Sequence, residues 1–475
     1  MKKIETFALK RFLFKDQAKA HGKSEFTRVD EHLSTFLTTY LGKKILMQKS
    51  KTIVKALLIA TFVFLSNLVM AYPTDGYNNT GIKRLDYFQA VKSGEINDNL
   101  VQKYFLPGAS LSLSQVGPRL LESKASYPNS SAELSAQLSS LIPDDPTRYS
   151  VALLDVSDPS NIRYAEHNSS YRNNVGSVGK ILVVLAILNT LSELYPDDIE
   201  KRRDILRTTS VRADEFSRGD HHTVRLWDVE NRALTRRAMK DGDEGSLYDY
   251  MDWAVSPSSN AAAATLQREL VLMNAFGAEY PKSYEESRAY LNDTPKSELA
   301  KLFRRAMDVP ITSSGLDINK LRQGSFFSRI GKSKVPGTSS YGNPRELVKL
   351  LFMAEQGQLI DEFSSTELKR LLYMTERRIR YASHPNLRAD AVYFKSGSLY
   401  SCQAEEGFKC GKYKGNKRNL LASVAIIESS AEERDLHYIV VVQSNMLKVN
   451  SALAHQTLAG KIHKMVKRWN AEANN

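Results

Sequence analysis

The sequence predicts an α+β fold in which one mixed sheet carries helices packed against it. Three observations lead there: a β-hairpin pattern opens near residue 149, a long and largely helical middle follows, and three β-rich segments with a closing helix end the chain. The hairpin reads as a strand over Tyr149-Ser150-Val151-Ala152-Leu153-Leu154-Asp155, a turn at Asp158-Pro159-Ser160-Asn161 and a returning strand over Ile162–Glu166. An apolar helix is predicted from Ser177 to about Leu194, polar helical sequence over 195–310 and a loop-rich stretch over 311–344. Arg345–Gln356 and Ser365–Met374 read as helices. Ala391–Lys395, Leu420–Ile427 and Tyr438–Gln443 read as strands, and Ala452 to about Trp469 as an amphipathic helix. There is no internal repeat.

Composition agrees with a folded protein. The 475 residues are 42% hydrophobic and 25% charged, which is globular rather than disordered usage. The net charge of +13 raises the question of a nucleic-acid partner. Residues 1–71, however, hold 13 Lys/Arg against 5 Asp/Glu, so most of the imbalance lies in the leader. The remainder mixes both signs and contains no basic recognition motif, so no nucleic-acid partner is expected.

The leader itself is informative. Ala56–Ala71 is an uncharged apolar run preceded by Lys49, Lys51 and Lys55. It is short for a spanning helix, which wants about 20 residues, and Val69-Met70-Ala71 supplies small residues for cleavage. A signal peptide starting at Met47 is expected, which makes residues 1–46 an over-extended start. The alternative is an uncleaved anchor, which would be the protein's sole membrane contact. Either reading puts the remainder outside the cytoplasm, in the periplasm. Residues 72–146 read as an N-terminal extension with an amphipathic piece at Leu85–Val91 and a Ser/Pro-rich connector over Ser126–Pro146; residues 147–475 read as the main domain.

Three short motifs carry chemistry. Gly176-Ser177-Val178-Gly179-Lys180 opens the apolar helix, and the spacing puts Ser177 and Lys180 on one face. Serine needs a neighbouring base to act as a nucleophile, and a buried lysine can be that base. The helix start also offers backbone N–H groups to a developing oxyanion. Ser258-Ser259-Asn260 precedes a second helix; its hydroxyl can relay a proton and its carboxamide can bind an amide. Phe394-Lys395-Ser396-Gly397-Ser398 ends a strand; Lys395 offers a cation for a carboxylate and Gly397 permits close approach of a ligand backbone. Each motif alone is weak, since capped helix starts and strand ends give the same letters.

Together, in the order S-x-x-K, S-x-N, K-S-G, they resemble the set shared by class A β-lactamases and penicillin-binding proteins. The resemblance spans roughly residues 147–472. It implies a β-lactamase/transpeptidase-like fold: a mainly antiparallel sheet flanked by helices, with an all-helical lobe holding the second motif. It implies Ser177 as the acylated nucleophile, Lys180 as proton acceptor and Ser258 as proton shuttle. Asn260, Lys395, Ser396 and Gly397 would bind substrate, and the backbone N–H groups of Ser177 and Ser398 would form the oxyanion hole. No metal or cofactor is implied, and His221-His222 reads as surface. The expected partner is a small-molecule β-lactam or a peptidoglycan peptide, and a monomer is expected.

Departures from the pattern bear on function. Ser259 stands where class A enzymes usually have Asp, and Ser396 where they usually have Thr. The glutamate that activates the deacylating water in class A enzymes has no counterpart: Arg288 stands three before Leu291-Asn292, and the only acidic residue of 311–344 is Asp317. A class A-like β-lactamase, a D,D-peptidase acting on cell-wall peptides and a slowly acylating penicillin-binding receptor therefore compete. Cys402 and Cys410 are a candidate disulfide beside the third motif, on the ground of an oxidising compartment.

Overall fold

The computed structural model describes residues 73, 75–102, 106–142, 145–375, 378–429 and 435–473. The leader expected over 1–71 lies outside the described residues. Five strands form one antiparallel sheet: β1 (Tyr149–Asp155), β2 (Arg163–His167), β3 (Ala391–Ser401), β4 (Arg418–Glu428) and β5 (His437–Asn445), in the spatial order β2-β1-β5-β4-β3. The helices that frame the sheet and the site are α1 (Lys83–Ser93), α2 (Ala132–Ser140), α3 (Lys180–Leu194), α4 (Leu247–Val255), α5 (Asn260–Phe276), α6 (Lys296–Ser313), α7 (Pro344–Glu355), α8 (Glu362–Tyr373) and α9 (Ser451–Ala473). The class is α+β, as expected.

Both faces of the sheet are covered, which is why its strands read as nearly continuous apolar runs. On β1 the side chains alternate. Tyr149, Val151 and Leu153 join a core with Leu458, Ile462, Val466 and Trp469 of α9, while Ala152 and Leu154 face the opposite core with α3. Strands β4 and β5 divide in the same way, Ile427 and Val440 to the first core and Ile426 and Val441 to the second. Each fully buried Leu, Ile or Val contributes about 1.5–3 kcal/mol, so α9 is fixed firmly to its face. The segment Gly176–Leu194 is long and apolar enough to cross a membrane by composition, yet 78% of it is buried inside the protein; it is the central core helix.

Local chemistry explains the boundaries. Asn343 caps α7 by accepting from the Glu346 amide, and Pro344 takes the first helical position, where no amide partner is needed. Ser259 caps α5 by accepting from the Ala262 amide. Four expectations are corrected. The connector Ser126–Pro146 contains α2, capped by Ser131. The region 195–310 is interrupted by a hairpin of Thr223–Asp228 with Ala233–Ala238, and by a short pair of Ser210–Arg212 with Glu244–Ser246. The stretch 311–344 begins inside α6 and holds a further helix at Arg329–Lys334. The third motif lies within β3 rather than at its end, because pairing with β4 continues to Ser401.

Described residues of the N-terminal segment pack into the same core as α3: Ile82, Leu85, Phe88 and Val91 are buried among its side chains. Beside the sheet, Lys369 of α8 is fully buried between Glu355 (2.8 Å) and Glu428 (2.5 Å), with His437 Nε2 3.5 Å from Glu355. Burial alone would raise the Glu355 carboxyl, but Lys369 and His437 hold it below the usual carboxylate range. Lys369→Met leaves two buried carboxylates without their cation and is expected to destabilise the fold by about 3–5 kcal/mol. Denaturant titration checks this; an unchanged midpoint would contradict it.

Candidate active site

The three motifs converge on one cleft of about 580 Å³, lined among others by Ser177, Ser258, Asn260, Lys395, Ser396 and Ser398. Ser177 lies in the tight turn Gly176–Gly179 that leads into α3. Strand β3 runs directly against this turn. A side-chain carbon at Gly397 would lie 2.0 Å from the Val175 carbonyl oxygen and 2.5 Å from the Ser177 amide nitrogen, so only glycine fits there. This contact brings the Ser398 backbone beside Gly176: a carbon added at Gly176 would lie 3.2 Å from the Ser398 nitrogen. The two expected oxyanion donors are thus neighbours.

Lys180 is fully buried. Its Nζ donates to the Ser258 carbonyl at 2.6 Å and to Asn260 Oδ1 at 2.8 Å, and lies 3.1 Å from Ser177 Oγ. A neutral amine has two N–H bonds and one lone pair. The two carbonyl acceptors take the N–H bonds, which leaves the lone pair for the Ser177 hydroxyl. Burial lowers Lys180 to about 7 against the opposing pull of Asp220, and its ammonium position lies 4.9 Å from the centre of the Phe327 ring. At neutral pH a substantial fraction is therefore free base.

Ser258 adopts a left-handed backbone, φ 67°, which a non-glycine residue holds at a cost of about 1–3 kcal/mol. That conformation directs its hydroxyl between the two lysines, 2.8 Å from Lys395 Nζ and 3.4 Å from Lys180 Nζ. Lys395 Nζ also donates to the Ser396 carbonyl at 3.0 Å. Burial pushes Lys395 well below the ordinary lysine range, and the charges of Lys180 and Arg380 add to the shift.

Four contributors carry no motif signal in the sequence. Arg380 donates to Ser396 Oγ at 2.5 Å, to Ser398 Oγ at 3.3 Å and to Tyr413 Oη at 2.8 Å, and stacks on the Tyr413 ring. It adds a fixed cation to the cleft beside Ser396 and Ser398. Tyr413 and Lys412 reach the cleft from the β3–β4 connection, whose Cys402 and Cys410 are disulfide-bonded with Cα atoms 6.1 Å apart. Asp220 braces the loop of the second motif: its Oδ2 accepts from Ser259 Oγ at 2.9 Å and from the Ala261 amide at 3.0 Å, and its Oδ1 accepts from His222 at 2.6 Å. These residues sit alone in the sequence with no motif spacing, so only the fold reveals them. His221 and His222, expected at the surface, also line the cleft.

The nucleophile turn and Lys180 are covered by Gln323 and Phe327. Gln323 packs so tightly on Gly179 that an added carbon there would lie 2.0 Å from its Oε1, and Phe327 covers Lys180. The carboxylate of Asp317 accepts from the Asn319 amide. Among the described residues, no Asp or Glu lines this cleft itself; Asp220 lines an adjoining pocket with Asn260 and Phe327, its oxygens engaged by Ser259, Ala261 and His222.

No family model matches the chain, and no curated protein matches it. Solved structures do. The chain is similar to the TLA-3 extended-spectrum β-lactamase, with 12% identity over 71% of this chain and 98% of that one, at a TM-score of 0.47. It is also similar to a point mutant of PBP-A in an acyl-enzyme complex with penicillin G, with 10% identity over 72% and 100% and a TM-score of 0.45. A β-lactamase from Chitinophaga pinensis matches with 14% identity over 72% and 98% and a TM-score of 0.43.

Proposed function

We propose that this chain is a serine hydrolase that forms an acyl-enzyme on Ser177, acts on a carboxylate-bearing peptide of the cell wall and is acylated by β-lactams. The observation that carries the reading is the buried Lys180 amine 3.1 Å from Ser177 Oγ, with its N–H bonds already committed to carbonyl acceptors. Lys180 accepts the hydroxyl proton as Ser177 Oγ attacks the substrate carbonyl. The Ser177 and Ser398 amides stabilise the oxyanion. As the C–N bond breaks, Ser258 passes a proton to the leaving nitrogen and is resupplied from the lysines on either side. Arg380 supplies the charge that holds the carboxylate, with Lys395 as a hydrogen-bond donor beside it, and Asn260 holds an amide of the acyl portion.

The cleft's lack of a carboxylate favours slow loss of the acyl group, because general-base assistance to water is typically worth about 10²–10⁴-fold. This supports a D,D-peptidase over a β-lactamase. The apolar run behind the leader lysines and the Cys402–Cys410 bond support an extracytoplasmic location. Incubation with a fluorescent penicillin, followed by removal of excess label, tests the reading. A label that persists over many minutes is expected. Release within seconds would make the protein a β-lactamase, and no label on folded protein would overturn the acyl-enzyme reading.

A further inference from the structure

We infer that Arg84, in the segment preceding the catalytic motifs, is a positioning residue that sets the separation between Ser258 and Lys395. The inference rests on the function proposed above, in which these two side chains form the proton-relay contact. Arg84 is 1% exposed. Its Nε and Nη2 donate to the two oxygens of Asp252 at 2.5 and 2.6 Å, and Nη2 also donates to the Met374 carbonyl at 2.7 Å. One guanidinium thus ties the end of α4 to the end of α8.

Each end leads to a motif. The Asp252 carbonyl accepts from the Ser256 amide at 2.7 Å, and the Trp253 carbonyl accepts from the Ser259 amide at 2.9 Å, so the strained loop carrying Ser258 hangs from this turn of α4. On the other side, Thr375, next to Met374, donates its hydroxyl to the Phe394 carbonyl at 2.7 Å, and Phe394 precedes Lys395 in β3. The path from Arg84 closes on itself through the 2.8 Å contact of Lys395 Nζ with Ser258 Oγ. A second tether runs beside it, from the Lys83 amide to Asp249 Oδ1 at 2.9 Å. The segment also grips the loop leading to Arg380: the Gly108 carbonyl accepts from Tyr373 Oη at 3.2 Å and from Arg378 Nη2 at 3.3 Å.

A buried ion pair is weak evidence for stability, since an apolar replacement of both partners is often neutral. A planar fork that engages a carboxylate and a carbonyl at fixed angles is better suited to fixing geometry.

The same property supplies the test. Arg84→Met alone leaves Asp252 charged and buried and is expected to unfold readily. Arg84→Met with Asp252→Leu removes both charges and is expected to stay folded, melting somewhat below the parent because the Met374 carbonyl loses its donor. In that double variant the rate of acylation by a fluorescent penicillin should fall about 10–100-fold, as small displacements of reacting groups do. Amide hydrogen exchange in the absence of any ligand should quicken at 256–260 and 394–398 and stay unchanged in α9. Parental acylation together with parental exchange in a stable double variant would overturn the positioning role. If the parent protein itself takes no label, the proposed function fails, and the exchange measurement alone decides whether Arg84 orders the two motifs.

Discussion

Replacing Ser177 with alanine is expected to abolish covalent labelling by a fluorescent penicillin while leaving the fold intact. The side chain is partly exposed at the cleft floor, and its hydroxyl meets the Lys180 amine. Loss of that contact leaves Lys180 with the Ser258 carbonyl and Asn260 Oδ1, so no buried donor is orphaned. The change in stability should stay within about 1 kcal/mol. Labelling, by contrast, requires the Ser177 oxygen itself, which lies 3.1 Å from the Lys180 amine. Intact-mass measurement after incubation checks the outcome directly. An adduct of unchanged stoichiometry on the alanine variant would mean that another residue is acylated.

Lys180→Met should slow acylation by about 10²–10⁴-fold, the usual contribution of a positioned base. The accompanying pH profile has a defined sign. Burial lowers Lys180 from the ordinary lysine range to about 7. The free amine, the form that can accept the Ser177 proton, predominates above that value and disappears as the pH falls through it. Acylation by the parent should therefore rise with pH to a plateau above about 7, and that rise should vanish in the methionine variant, whose residual rate is carried by the oxyanion donors. Stopped-flow fluorescence measures both. A parent profile that is flat across neutral pH would show that Lys180 is not the proton acceptor.

The sheet and the three motifs were legible because their signals are local. An apolar run with both faces buried reads as a strand, and a glycine against a backbone reads as a close approach. The hairpin over Thr223–Ala238 was missed because Arg225, Arg236 and Arg237 give it polar letters that resemble helix surface, although Arg225 is buried in the fold. Helix α2 hid in a Ser-rich stretch whose serines are partly its cap. Arg380, Tyr413 and Asp220 act on residues 16, 33 and 39 positions away. Contacts of that span come from chain reversal and leave no periodic trace.

The cleft is lined by Arg380 and Lys412, with no Asp or Glu in its own lining among the described residues. Field lines from such a concavity reach into solvent over roughly a Debye length, about 8 Å at physiological salt. An anionic ligand is drawn toward the opening before it touches anything, and capture quickens as the buffer is diluted. A positively charged analogue of the same shape meets a barrier at the same place, so selection by charge begins during diffusion, ahead of any hydrogen bond.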